Sequence, residues 1–474
     1  MLSHKRLLRM NQRYYHHLAL FVIASSAMTT PLYANNLSFS QLVNEKTQLN
    51  TQTISFDENK NDLWNKYIKE VQKLSILKAE YDQRALKFQN KTMRFSLEKI
   101  GSAPKDGYPL YIALHGGGSA PSSVNDSQWE AMKSYYRKSV QNGIYVAPRG
   151  ISDSWMLHSE NESYPLYDKL IEGAILFDGV NPNRVYLLGF SAGGDGVYQV
   201  TPKMPARFAA ANMSAGHNNG LTFDNLYNTP FLLQVGEMDS AYNRNKLTAQ
   251  NYITLNNLQA KYSGGFINDA FIHYNGSHNS WRDNDSSRNA QRVITDPIKW
   301  LAGNRDTKYI NSNAIDWLNN YTRTSTPTKI VWDLSVAANS RTYQTGAAVL
   351  ANEGDNTTQL AKPASLLYWL DVSVADQYPS NGKLIVEAIK ETNTIHIVEV
   401  SNIERFRILL NPNLLDLSQP IKITIQDNLI ATVNVKDEMA IMARTLLERS
   451  DKEQIYNAQI TLAYDKNTQH WDVS

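Results

Sequence analysis

The 474-residue chain contains no cysteine. Disulfides, thiolate metal sites and a cysteine nucleophile are therefore excluded, and stability must come from packing. A charge excess of one sign is missing too, since 47 basic and 45 acidic residues leave a net +2 at neutral pH. Four of the basic residues, Lys5, Arg6, Arg9 and Arg13, fall in the first 34 positions, which hold no acidic residue, so the rest carries −2. Nucleic acid is not an expected partner, because phosphate binding needs clustered lysine and arginine. The leading apolar run, "LALFVIASSAM" from Leu18 to Met28, has eleven residues, against the ~20 that span a bilayer. No H-E-x-x-H and no G-x-x-x-x-G-K-[ST] occurs, and the carboxylates show no metal-ligand spacing. Neither a metal nor another cofactor is expected.

What is present falls into four segments. Residues 1–34 join basic residues to the short apolar run and end in "TTPLYA", the pattern of a secretory signal cut after Ala34. The mature chain is expected to be exported, to a periplasm or beyond the cell, with no integral membrane segment. Residues 35–91 form a helical segment, in which Leu63, Tyr67, Val71, Leu74 and Leu77 predict one long amphipathic helix over Asp62–Gln89 that packs on the next domain. From 92 to 325 buried strands alternate with helices, which predicts a mostly parallel α/β sheet covered on both faces. Function in such sheets lies at the carboxyl ends of the strands. Residues 326–474 read as short strands with one helix, Asp437–Arg449, and predict a smaller β-sandwich-like domain. Its aromatics Trp332, Tyr368 and Trp369 suit either a core or a face toward the larger domain.

The chemistry centres on "VYLLGFSAGGDGVYQV", where Ser191 stands between Gly189 and Gly193 directly after a buried strand. A nucleophile elbow needs this pattern, because small residues two before and two after the serine let strand and helix meet. Acyl transfer also needs a base, an acid to orient it and donors for the oxyanion, in the chain order serine, acid, histidine. Asp239 follows the strand "FLLQVG" and His278 the strand "AFIHYNG". Glu237 competes as the acid from the same strand end. His273 lies inside its strand and reads as a core residue, whereas His217 breaks the chain order. His217, His115 and Trp155 are candidate substrate contacts. The run "LHGGG" from Leu114 to Gly118 offers uncovered amides, so Gly117 and Ala192 are the candidate oxyanion donors.

The pieces "LHGGG", "YVAPRG", "NPNRVYLLGFSAGGDGVY", "FAAANMSAGHNN", "VGEMDSAYNR" and "GSH" occur in that order over Met93–Tyr321. Together they resemble the α/β-hydrolases of the polyhydroxybutyrate depolymerase and feruloyl esterase branch. The resemblance implies that Ser191 is the nucleophile, Asp239 the acid and His278 the base. The tail is similar to the β-rich accessory domain of exported members. The expected activity is hydrolysis of carboxylic esters, small or oligomeric, through an acyl-enzyme. The alternatives are a prolyl-oligopeptidase-like serine peptidase and a binding protein built on the same scaffold.

Overall fold

The computed structural model describes residues 55–72, 75–284, 290–337, 341–342, 362–363 and 365–474. The expected leader, 1–34, and the start of the helical segment, 35–54, lie outside the described residues. Ten strands form the main sheet: β1 (Ala85–Phe88), β2 (Lys91–Ile100), β3 (Tyr108–Leu114), β4 (Gly143–Pro148), β5 (Val180–Phe190), β6 (Ala210–Ser214), β7 (Phe231–Gly236), β8 (Asn268–His273), β9 (Gln291–Ile294) and β10 (Lys308–Ile310). Their spatial order is β1-β2-β4-β3-β5-β6-β7-β8-β9-β10. Strands β3 to β8 pair in parallel, while β1, β2, β9 and β10 pair antiparallel at the two edges. This is the sheet of an α/β-hydrolase. The continuous apolar runs follow from it, because β4, β6 and β7 are buried at every residue under helices on both faces.

The amino-terminal segment differs from its expectation of one long helix. Two helices, Phe56–Val71 and Ser75–Asp82, are followed by β1, which turns through Gln89 at φ 51° into β2. The reason lies in a change of period: Leu63, Tyr67 and Val71 are buried at helical spacing, but Leu86 and Phe88 are buried at a spacing of two. The first helix opens with a capping box, in which Ser55 Oγ accepts the Glu58 amide and Glu58 accepts the Ser55 amide. These helices cover Ser163–Asp178, whose residues from Ser163 to Leu176 are all buried. Tyr67 donates to Glu172 at 2.8 Å, and Tyr81 lies against Gly173 and donates to Asp178 at 2.7 Å. Tyr67 also meets Ser450 Oγ at 2.8 Å, and Lys60 meets Glu453 at 3.0 Å.

Among the described residues beyond 328 lie a two-stranded pair, Arg341–Thr342 with Lys362–Pro363, and two five-stranded sheets. One runs through Lys329–Asp333, Lys383–Ile389, Thr394–Ser401, Ile421–Ile425 and Asn428–Val433, the other through Leu366–Leu367, Leu370–Asp371, Arg405–Leu410, Ala458–Asp465 and His470–Val473. All pairs are antiparallel except Thr394–Ser401 with Ile421–Ile425. Their inner faces share one core that takes in Trp332, Tyr368 and Trp369. Among the described residues of this region the α-helix is Met439–Arg449. No helix among the described residues is long and apolar enough to cross a membrane.

Candidate active site

Strand β5 runs into Ser191 at φ 60° and ψ −122°, and the helix Ala192–Val200 begins at the next residue. Such a φ is costly for a residue with a β-carbon and persists only where the surroundings impose it. Here strand and helix meet backbone to backbone. A β-carbon at Gly189 would stand 2.4 Å from the Gly193 carbonyl oxygen, and one at Gly193 would stand 2.0 Å from that of Leu114. The turn is held by the Ser191 amide donating to the Ser214 carbonyl at 2.9 Å.

The loops after β7 and β8 converge on this serine. Nε2 of His278 lies 3.0 Å from Ser191 Oγ, and Nδ1 of the same ring lies 2.6 Å from Asp239 Oδ2. Asp239 is 2% exposed, and its loop is tied to the histidine loop by the Met238 amide, which donates to the Gly276 carbonyl at 2.7 Å. Arg244 Nη1 stands 3.6 Å from the other Asp239 oxygen. Glu237 is engaged elsewhere: it accepts from Arg305, from Trp300 Nε1 at 3.3 Å and from the Asn275 amide at 2.9 Å. Burial would raise its carboxyl, but Arg305 and these donors outweigh burial and hold it below the ordinary range. His273 is a core residue, bonded to Gln234 at 2.9 Å and stacked on Trp281, and burial pushes its pKa down to about 3.

The glycine run lies against the serine. A β-carbon on Gly116 would be 3.4 Å from that of Ser191. Gly117 and Gly118 take φ of 105° and 83°, a region that favours glycine, and Gly118 donates to Asn125 Oδ1 at 2.9 Å. The amides of Gly117 and Ala192 have no acceptor among the described residues. His115, read from the sequence as a substrate contact, has no exposed surface. Its Nε2 accepts the Gly150 amide at 3.0 Å, and its Nδ1 lies 2.6 Å from the Gly116 carbonyl. Burial pushes its pKa down to about 4, so the neutral ring braces the glycine loop from beneath.

Trp155 is 47% exposed and meets Tyr242 edge-on at 5.6 Å. Tyr242, 58% exposed, meets His217 edge-on at 6.0 Å. His217 is fastened in turn to Asp195, which takes its amide at 2.8 Å and faces its Nδ1 at 3.0 Å. Sequence reasoning missed Tyr242, Arg244 and Asp195. Only Asp195 carries a signal, since it stands one helical turn after Ser191 and its amide donates to the Ser191 carbonyl at 3.0 Å. Among the described residues no three metal-ligating side chains cluster.

The arrangement can move a proton. A hydroxyl bonded to an imidazole whose far nitrogen faces a buried carboxylate loses its proton to that ring as the oxygen attacks, and the carboxylate stabilises the resulting imidazolium.

No protein-family model and no curated protein matches the chain. Among solved structures, it is similar over 51% of its length to 64% of a thermostable esterase, at 21% identity and a TM-score of 0.33. It is similar over 48% of its length to 89% of the LpqC poly(3-hydroxybutyrate) depolymerase from Bordetella parapertussis, at 14% identity and a TM-score of 0.34. It is similar over 41% of its length to 37% of an acylaminoacyl peptidase, at 16% identity and a TM-score of 0.30.

Proposed function

We propose that the chain is an exported serine hydrolase that cleaves carboxylic esters through an acyl-enzyme. The single observation that supports this most is the unbroken path from Ser191 Oγ through His278 to Asp239, at 3.0 and 2.6 Å. Ser191 attacks the ester carbonyl carbon while His278 Nε2 takes its proton, and the carbonyl oxygen becomes an oxyanion that accepts from the Gly117 and Ala192 amides. Collapse of this intermediate breaks the bond to the alkoxide, which leaves with the proton from His278. Water then repeats the sequence on the acyl-enzyme, and the acid departs. The half-exposed row of Trp155, Tyr242 and His217 is the wall against which substrate packs.

The test is a fluorophosphonate probe on the mature chain, combined with p-nitrophenyl esters of rising length, hydroxybutyrate oligomers and peptide amides. Labelling and ester turnover are expected in the wild type and absent in Ser191→Ala. Labelling that persists in the variant rejects the nucleophile. Faster cleavage of amides than of esters replaces the esterase by the peptidase. Export is tested by determining the amino terminus of the secreted or periplasmic product, expected at Asn35.

A further inference from the structure

The loop that carries His278 ends in a carboxylate with no place in the reaction above. Asp283 is 0% exposed, although an unpaired buried charge is among the costliest features a core can hold. Its oxygens are therefore heavily partnered. Tyr135 donates at 2.8 Å, Tyr136 at 2.7 Å and Asn212 Nδ2 at 3.4 Å, and Ser214 Oγ donates in a short bond. The donors come from two elements, the end of the helix Ser122–Tyr135 and strand β6. Backbone contacts hold the same spot: the Asp283 carbonyl accepts the Ala314 amide at 2.7 Å, and Ser139 Oγ donates to the Asn284 carbonyl at 3.1 Å.

Ser214 gives this cluster its meaning. Its hydroxyl binds Asp283, and its backbone carbonyl binds the Ser191 amide at 2.9 Å. One residue of β6 thus holds the elbow from one side and the histidine loop from the other. Between them lies Phe190, with ring centroids 5.3 Å from His278 and 5.7 Å from Trp281. The loop is pinned at Trp281 by the stack on His273, with centroids 4.1 Å apart, and two residues later at Asp283.

We infer that Asp283 is a positioning residue, whose carboxylate locks the His278 loop to Ser214 and so sets the distance between His278 Nε2 and Ser191 Oγ. The inference rests on the serine-hydrolase reading. A loop needs only closure to fold, and a neutral side chain can supply that. A carboxylate with four donors fixes the loop in direction as well as in place. Facing it are Tyr135 and Tyr136, whose hydroxyls burial and the Asp283 charge keep protonated far above the ordinary tyrosine range, so their donors stay in place across the working pH range.

The experiment compares wild type with Asp283→Asn, Ser214→Ala and Tyr136→Phe in the full chain, reading thermal unfolding, the rate of fluorophosphonate labelling, kcat and KM. A nucleophile and base displaced by about 1 Å lose on the order of 10²-fold in rate. Asp283→Asn is expected to approach that loss in kcat and in labelling rate, with KM within about twofold, and Ser214→Ala to act in the same direction. A double variant carrying both Asp283→Asn and Ser214→Ala should be no slower than Asp283→Asn alone, because both substitutions break the Ser214–Asp283 contact. If Asp283→Asn does not fold, Tyr136→Phe carries the test, with a loss of about three- to tenfold from one donor. Variants that melt earlier but keep wild-type kcat and labelling rate overturn the inference and make Asp283 a fold residue only. A wild type that neither labels at Ser191 nor cleaves esters overturns the serine-hydrolase reading itself, and the positioning role falls with it.

Discussion

Arg323 and Asp451 meet at 2.6 Å with 1% of either side chain exposed. The first lies just after the main sheet and the second just after the helix Met439–Arg449. Arg323 also donates to the Ala206 carbonyl at 2.7 Å, and Arg207 donates to the Arg449 carbonyl at 2.6 Å. Burial would raise the Asp451 carboxyl, but Arg323 and Arg207 hold it below the ordinary range.

Breaking such a pair leaves a buried charge uncompensated, at a cost of about 3–5 kcal/mol. Asp451→Ala is therefore expected to lower the stability of the whole chain by that amount in denaturant unfolding. A chain ending at Thr328 loses Asp451, which leaves the buried Arg323 without its counter-charge, and should be insoluble. A soluble truncated protein with wild-type melting would refute the coupling.

Asp239→Asn should keep the fold and reduce ester turnover by about 10⁴, because the imidazole loses the partner that fixes its tautomer. Glu237→Gln should leave kcat within a few fold, since that carboxylate serves Arg305 rather than His278. Steady-state kinetics of the two variants decide the matter. A larger loss in Glu237→Gln assigns the acid to the wrong residue.

The bond that His217 Nδ1 donates to Asp195 holds the imidazolium above the ordinary histidine range. The pair then contributes stability that is complete below the unfolded value of about 6.5 and is lost as pH rises through the raised folded value. An NMR titration of His217 should show a midpoint above about 6.5 that moves down in Asp195→Asn. A wild-type midpoint at or below that value contradicts the contact.

Gly193→Ala places a β-carbon 2.0 Å from the Leu114 carbonyl oxygen. Neither backbone can retreat without moving the elbow, so a loss of at least about 3 kcal/mol is expected in urea unfolding. An alanine variant of wild-type stability would show that the strand and helix do not approach this closely.

Much of the site is legible in the sequence because local sterics write it there. Gly189 and Gly193 are demanded by the contact between strand and helix, and His278 and Asp239 follow strands whose apolar runs mark them as buried. Choosing between Glu237 and Asp239 is beyond chain order, since both leave the same strand. Arg305, 68 residues downstream, engages Glu237 and leaves Asp239 facing His278. His115 misleads for a related reason: a histidine beside a glycine run looks accessible until the neighbouring loops cover it. The β1–β2 hairpin is hidden by the strong helical period before it, which carries the eye past the point where Leu86 and Phe88 begin to alternate.

The helix Phe56–Val71 has partners near the far end of the chain. Tyr67 meets Ser450 across 383 positions, and Lys60 meets Glu453 across 393. Contacts of such separation form late, because the loop they close is entropically expensive until the intervening structure exists. An element among the first to be synthesised is thus among the last to find its place, and it waits in the open with Leu63, Tyr67 and Val71 uncovered. Pulse-labelled hydrogen exchange during refolding should find its amides protected after those of β3 to β8. Protection of this helix in the earliest phase would reverse the order. The helix Phe56–Val71 therefore acts as the closing strap of the assembled molecule, and the interval before it closes is when the protein is most exposed to aggregation.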